Sequence, residues 1–165
     1  MFRCRFRRTE KSIVVGSLNS KNGPWEPIQA AIDAVWADTH ERFSLSDTRC
    51  YASGFSGGSR VSFALAGMKK EHFAGVIGIG AGLSATGIHP EKDVAVWIMC
   101  GEEDFNRQEL DALKPRLEAA GHPVRYENFP GAHVMPPVAL MELAVRWIDD
   151  HSAERREQVF AESVA

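Results

Sequence analysis

The residues Gly54-Phe55-Ser56-Gly57-Gly58 put a serine between small neighbours, where a strand-like run (Arg49-Cys50-Tyr51-Ala52-Ser53) gives way to a helix-like one (Ser59–Met68). A serine on such a turn has a strained backbone, and small residues two before and two after relieve the crowding. Its hydroxyl projects above the sheet edge, with the free N–H groups and partial positive charge of a helix N-terminus behind it. Gly57 N–H is then the expected donor to an oxyanion formed during attack on a carbonyl. A serine hydroxyl is a weak nucleophile without a base, and a neutral imidazole needs a carboxylate to orient it. Two later segments supply them. Gly101-Glu102-Glu103-Asp104 follows the apolar run Val94–Cys100, and Pro130-Gly131-Ala132-His133 follows Val124–Phe129. Both lie beyond the carboxyl end of an expected strand, where parallel-sheet proteins bind ligands. The order serine, acid, histidine is also that of a known hydrolase arrangement.

Each of these residues has a plainer explanation. The Gly-Ser turn is compatible with an ordinary strand-to-helix loop, and Asp104 with a cap or first-turn acid of the following helix. Glu102 and Glu103 are rival acids, closer to the strand end and longer. Among the histidines, His40, His72, His89, His122 and His151 are read as solvated surface residues; only His133 follows a glycine-bearing turn at a strand end. Cys100 ends an apolar run with no base beside it in sequence, and is read as packing rather than as a nucleophile.

The elements that must position these groups follow from periodicity. Ser12–Leu18, Thr48–Ser53, Phe73–Gly80, Val94–Cys100 and Val124–Phe129 are short apolar runs that predict strands. Between them, amphipathic stretches predict helices: Pro27 to Arg42 (apolar face Ile28, Ala31, Ile32, Val35, Trp36), Gly58–Met68, Gln108–Ala120 closed by Gly121, and Val138–Ile148. Alternation of this kind predicts an α/β fold, a mostly parallel sheet of about five strands with helices on both faces. Gly80-Ala81-Gly82 keeps room near the serine. Asn22 and Trp25, in the polar segment before the first helix, and Phe55 are the candidate substrate contacts, although Trp25 equally suits a loop residue covering core.

Length and composition agree with one globular domain: 165 residues, 44% hydrophobic and 25% charged. The expected layout is a basic arm over 1–11, a domain over 12–150 and a charged tail over 151–165. Three cysteines are too few for a disulfide framework. A net charge of −3 disfavours a nucleic-acid partner, and no run nears the length of a membrane span. The basic start lacks the apolar core of a signal peptide, so a cytoplasmic location is expected, with secretion open if a longer start precedes Met1.

The motifs around Ser56, Phe73-Ala74-Gly75-Val76, Gly101–Asp104 and Phe129–His133 resemble the α/β-hydrolase fold, and most closely its polyhydroxybutyrate-depolymerase-like, feruloyl-esterase-like and dienelactone-type esterases. The likeness covers about residues 12–148. It implies Ser56 as nucleophile, Asp104 as triad acid and His133 as general base, acting on a small-molecule ester without metal or organic cofactor. The departure lies at the front. Ser12–Leu18 resembles the family's fourth strand, so the earlier strands and the His-Gly-type loop that gives a second oxyanion donor are missing. The expectation is an N-terminally shortened member, with a sheet edge that favours a homodimer. One lost donor would lower the rate by about 10²–10³. The alternative is an inactive relative kept as a binding or assembly module; a third reading keeps the triad for acyl transfer or peptide cleavage.

Overall fold

A computed structural model describes the backbone of residues 4–8 and, in full, residues 12–17, 21–46, 49–152, 157 and 161. Most of the expected basic arm and charged tail therefore lies outside the described residues. The chain divides into two compact units, Met1–Leu45 and Ser46–Ala165.

In the first unit, β1 (Cys4–Arg8) pairs antiparallel with β2 (Ile13–Ser17), Phe6 opposite Val15, and α1 (Trp25–Arg42) packs on β2. This corrects the expectation that Ser12–Leu18 joins the parallel sheet as a buried strand. Along β2 half-buried and exposed residues alternate, and Val14 is 58% exposed. A five-residue run with three β-branched residues suits a strand covered on one face as well as one covered on both, and nothing in its composition separates the two. Helix α1 begins two residues before Pro27, because a proline in the first turn lacks only an N–H that would be unpaired anyway. Glu26 in its first turn and His40 and Arg42 in its last match the helix dipole.

In the second unit, β3 (Cys50–Phe55), β4 (Phe73–Ile79), β5 (Ala95–Gly101) and β6 (Val124–Phe129) form a four-stranded parallel sheet in chain order. Helices α2 (Gly57–Met68), α3 (Arg107–Ala119) and α4 (Val138–His151) connect or follow the strands. β4 and β5 are buried at every residue, as their continuous apolar sequences require of inner strands covered on both faces.

Side-chain alternation assigns the helices to faces. On one face Gly78, Ile98 and Tyr126 lie in register. A Cβ at Gly78 would lie 2.7 Å from the Phe63 ring of α2, and Tyr126 donates to Asp111 of α3 at 2.7 Å. On the other face Ile77, Trp97 and Arg125 lie in register. Ile77 and Trp97 pack with Ala144 and Ile148 of α4, and the Arg125 guanidinium lies 4.2 Å over the Trp97 ring. Trp97 meets Trp147 edge-on, centroids 5.5 Å apart. Asp149 accepts from Tyr51 and, at 3.0 and 3.1 Å, from Arg49, which ties the end of α4 back to β3. Helix α3 stops where Gly121 takes φ +94°: its N–H bonds Glu118 O and the His122 N–H bonds Leu117 O, a paired helix ending that only a left-handed residue permits. Among the described residues no helix is long and apolar enough to cross a membrane.

The two glycines around the serine turn are not equivalent. A Cβ at Gly54 would lie 2.1 Å from Gly58 O, whereas one at Gly58 would meet nothing within 4 Å. Gly54→Ala is therefore expected to destabilise by about 1–3 kcal/mol or more, lowering Tm by roughly 2–4 °C for each kcal/mol, while Gly58→Ala leaves Tm unchanged or slightly raised. Thermal unfolding of the two variants checks this; equal losses would contradict the one-sided contact.

Candidate active site

Ser56 joins β3 to α2 with φ 54° and ψ −121°, and among the described residues it is the single non-glycine with positive φ. Such a backbone costs about 1–3 kcal/mol and persists only where its surroundings over-determine it. They do so here. The Ser56 N–H donates to Ile79 O at 2.7 Å, the Ser59 hydroxyl to Ala81 O at 2.6 Å, and Arg60 Nη1 to Leu83 O at 2.8 Å. The first turn of α2 is thereby fastened to the segment leaving β4. Arg60 is itself held by a fork of bonds to Glu109 on α3, 2.7 and 2.6 Å, and Glu109 also accepts from Gly82 N–H. The guanidinium lowers the Glu109 carboxyl below its ordinary value. Gly57, first residue of α2, keeps an N–H that needs no partner inside the helix.

Asp104 follows β5 and is buried, its side chain 1% exposed. Oδ2 accepts from His133 Nδ1 at 2.9 Å and Oδ1 from Asn106 N–H at 2.8 Å, so both oxygens are satisfied. An ionised carboxylate only accepts, so Nδ1 of His133 is the donor of this bond. The histidine loop lies close over the end of β5: a Cβ at Gly101 would lie 2.0 Å from Ala132 O, and Glu103 N–H donates to Gly131 O.

The serine turn and this pair meet at Gly80, φ +64°. A Cβ there would lie 3.1 Å from each of Asp104 Oδ2, His133 Cε1 and the Phe55 ring. Phe55, the residue before the serine, packs on the imidazole with centroids 4.6 Å apart. Asn106 donates through Nδ2 to Gly80 O at 2.8 Å, joining the acid turn to the end of β4.

A four-stranded parallel sheet whose strands alternate with helices agrees in fold with the solved structures this chain is similar to. The S-formylglutathione hydrolase (FrmB) of Staphylococcus aureus matches with TM-score 0.55 and 21% identity over 75% of this chain and 60% of its own. A Bacillus cereus carboxylesterase matches with TM-score 0.56 and 20% identity over 75% and 58%, and YahD, solved with malic acid, with TM-score 0.60 and 18% identity over 76% and 62%. This chain has the α/β-hydrolase fold. It spans about 60% of the length of these chains. No protein-family profile matches its sequence, and no curated protein is similar to it.

Within this α/β-hydrolase fold, Ser56, Gly57, Phe55, Asp104 and His133 all belong to the second unit, and Phe55, Asp104 and His133 surround Gly80. Among the described residues the Ser56 hydroxyl makes no hydrogen bond. Asn22 and Trp25 belong to the first unit: Asn22 is exposed before α1, and Trp25 opens that helix with its indole N–H on Gln29. The rivals separate by burial. Glu102 and Glu103 are exposed where Asp104 is buried. Cys100 is fully buried, and burial beside the Asp104 charge pushes its thiol up to about 11.

Reading all the other histidines as surface residues is wrong for His122. The residue is 8% exposed and its ring bonds Val94 O at 2.9 Å, because the left-handed Gly121 turns it inward onto the residue before β5. Asn106 and Phe105 escaped the sequence reading. They follow the acid directly, but their partners Gly80 and His133 are 26 and 28 residues away in sequence, so local pattern carries no trace of them.

Asn106→Ala removes the bond to Gly80 O and is expected to cost about 0.5–1.5 kcal/mol. The low-field Nδ1 proton of His133 in ¹H NMR should weaken or shift as the acid turn loosens; an unmoved resonance would show that Asn106 does not position the pair. At pH 8 the Cys100 thiol is protonated, so iodoacetamide should leave it unmodified in the folded protein and alkylate it on unfolding. Peptide mapping reads this directly, and rapid labelling of folded protein would contradict it.

Proposed function

We propose that the chain is a serine hydrolase of carboxylic esters. The observation that supports this reading best is the left-handed Ser56 at the mouth of α2, its N–H bonded to Ile79 O, with the Asp104–His133 pair bordering the next residue, Gly80. The names of the similar structures, a hydrolase and a carboxylesterase among them, point the same way.

In this reading Ser56 Oγ attacks the ester carbonyl carbon while His133 Nε2 takes the hydroxyl proton. Asp104, fixed by Asn106 N–H, holds the imidazole and stabilises the imidazolium. The tetrahedral oxyanion lies toward the Gly57 N–H and the positive end of α2. When the intermediate collapses, the C–O bond breaks with its electron pair on oxygen, and the Nε2 proton passes to that oxygen as the alcohol leaves. Water, deprotonated by His133, then attacks the acyl-enzyme and releases the acid, restoring Ser56. These steps need only water as co-reactant.

A second reading, a binding module without turnover, is favoured by one observation, the unbonded Ser56 hydroxyl. Catalytic hydrogen bonds are often long in unliganded sites and tighten with substrate. The experiment is labelling with a fluorophosphonate followed by peptide mapping, together with turnover of short p-nitrophenyl esters. The expected outcome is a label on Ser56, and a fall of roughly 10³-fold or more in kcat for Ser56→Ala and for His133→Ala. A folded protein that takes no label and shows the same ester turnover with or without Ser56 would sink the proposal and leave the binding module.

A further inference from the structure

Phe105 is 76% exposed, yet its ring lies against His133 with centroids 4.3 Å apart and planes 39° from parallel. A lone exposed apolar side chain needs no explanation. This one is in contact with the base of the proposed triad, and beyond His133 the loop residues Val134 (49% exposed) and Met135 (55%) and the first residue of α4, Val138 (75%), are exposed as well. An exposed aromatic ring held against such a base is placed to meet whatever the base serves.

Resting on the hydrolase reading, we infer that Phe105 determines specificity by forming the wall for the leaving group, and that the substrates are esters of neutral alcohols carrying an aromatic ring. The chemistry fixes the occupant. The oxygen that leaves must take its proton from His133 Nε2, at about 2.6–3.2 Å, so the group on that oxygen lies beside the imidazole. A ring centred 4.3 Å from the imidazole centre is within reach of that group.

Charge selects further. The same turn exposes Glu102 and Glu103, while the Arg107 guanidinium is engaged by Glu102 O at 2.8 Å and by Asp111 at 3.7 Å. Among the residues of this turn, 101–107, an anionic leaving group meets two exposed carboxylates and a single cation, Arg107, that is already engaged, so a neutral one is favoured. An aromatic ring gains more from stacking on Phe105 than a saturated ring of the same size gains from burial alone, by about 3–10-fold in kcat/KM.

The test compares benzyl acetate with cyclohexylmethyl acetate, which share the acyl group and have leaving groups of similar basicity. The wild type should prefer the benzyl ester by about 3–10-fold in kcat/KM. Phe105→Ala should abolish that preference while retaining fluorophosphonate labelling of Ser56, and Phe105→Trp should keep the preference. Labelled, active protein whose ratio is the same in wild type and Phe105→Ala would overturn the inference and leave the hydrolase reading intact. Turnover of neither ester with no label on Ser56 overturns both.

Discussion

The left-handed backbone at Ser56 is the constraint on which the second unit turns. Its cost of about 1–3 kcal/mol must be met by neighbours, and each neighbour is a specific fit. Ile79 O takes the Ser56 N–H, Gly54 lets the carbonyl of Gly58 approach, and Ser59 and Arg60 fasten the helix start to the chain leaving β4. Released from these contacts, the turn would relax to an ordinary conformation and the hydroxyl would lose its aim.

Gly80 is where the consequences collect. It follows the strand that accepts the Ser56 N–H, and its own carbonyl accepts from Asn106, two residues past the acid. Its missing side chain leaves space that Asp104, His133 and Phe55 border together. One residue thus links three strand ends, and a larger one, strained by the left-handed φ, would push the acid and base apart. The Arg60–Glu109 fork braces the same region from the α2 and α3 side, joining helices that both lie on the Gly78 face of the sheet.

Burial separates chemically equal residues at the strand ends. Three acids follow β5 within three positions, and only Asp104 is both buried and bonded to a histidine. A hydrogen bond out of water counts for more than the same bond exposed, so the buried acid is the one able to hold an imidazole in one orientation. Burial works the other way on Cys100, keeping a potential nucleophile as an inert thiol.

The sequence by itself determined what depends on near neighbours. The strand-like and helical periods, the small residues around Ser56, the helix-ending Gly121 and the strand ends preceding Asp104 and His133 were all legible, because each is set within a few residues. Tertiary structure decided what depends on distant contacts. It paired β2 with β1 instead of the parallel sheet, which a pentapeptide with three β-branched residues leaves undetermined. It also turned His122 inward, chose Asp104 over its neighbours, and gave Asn106 and Phe105 their partners across the sheet end. Strand exchange and side-chain burial are properties of the packed whole, and residues 26 to 29 positions apart meet only once the sheet has formed.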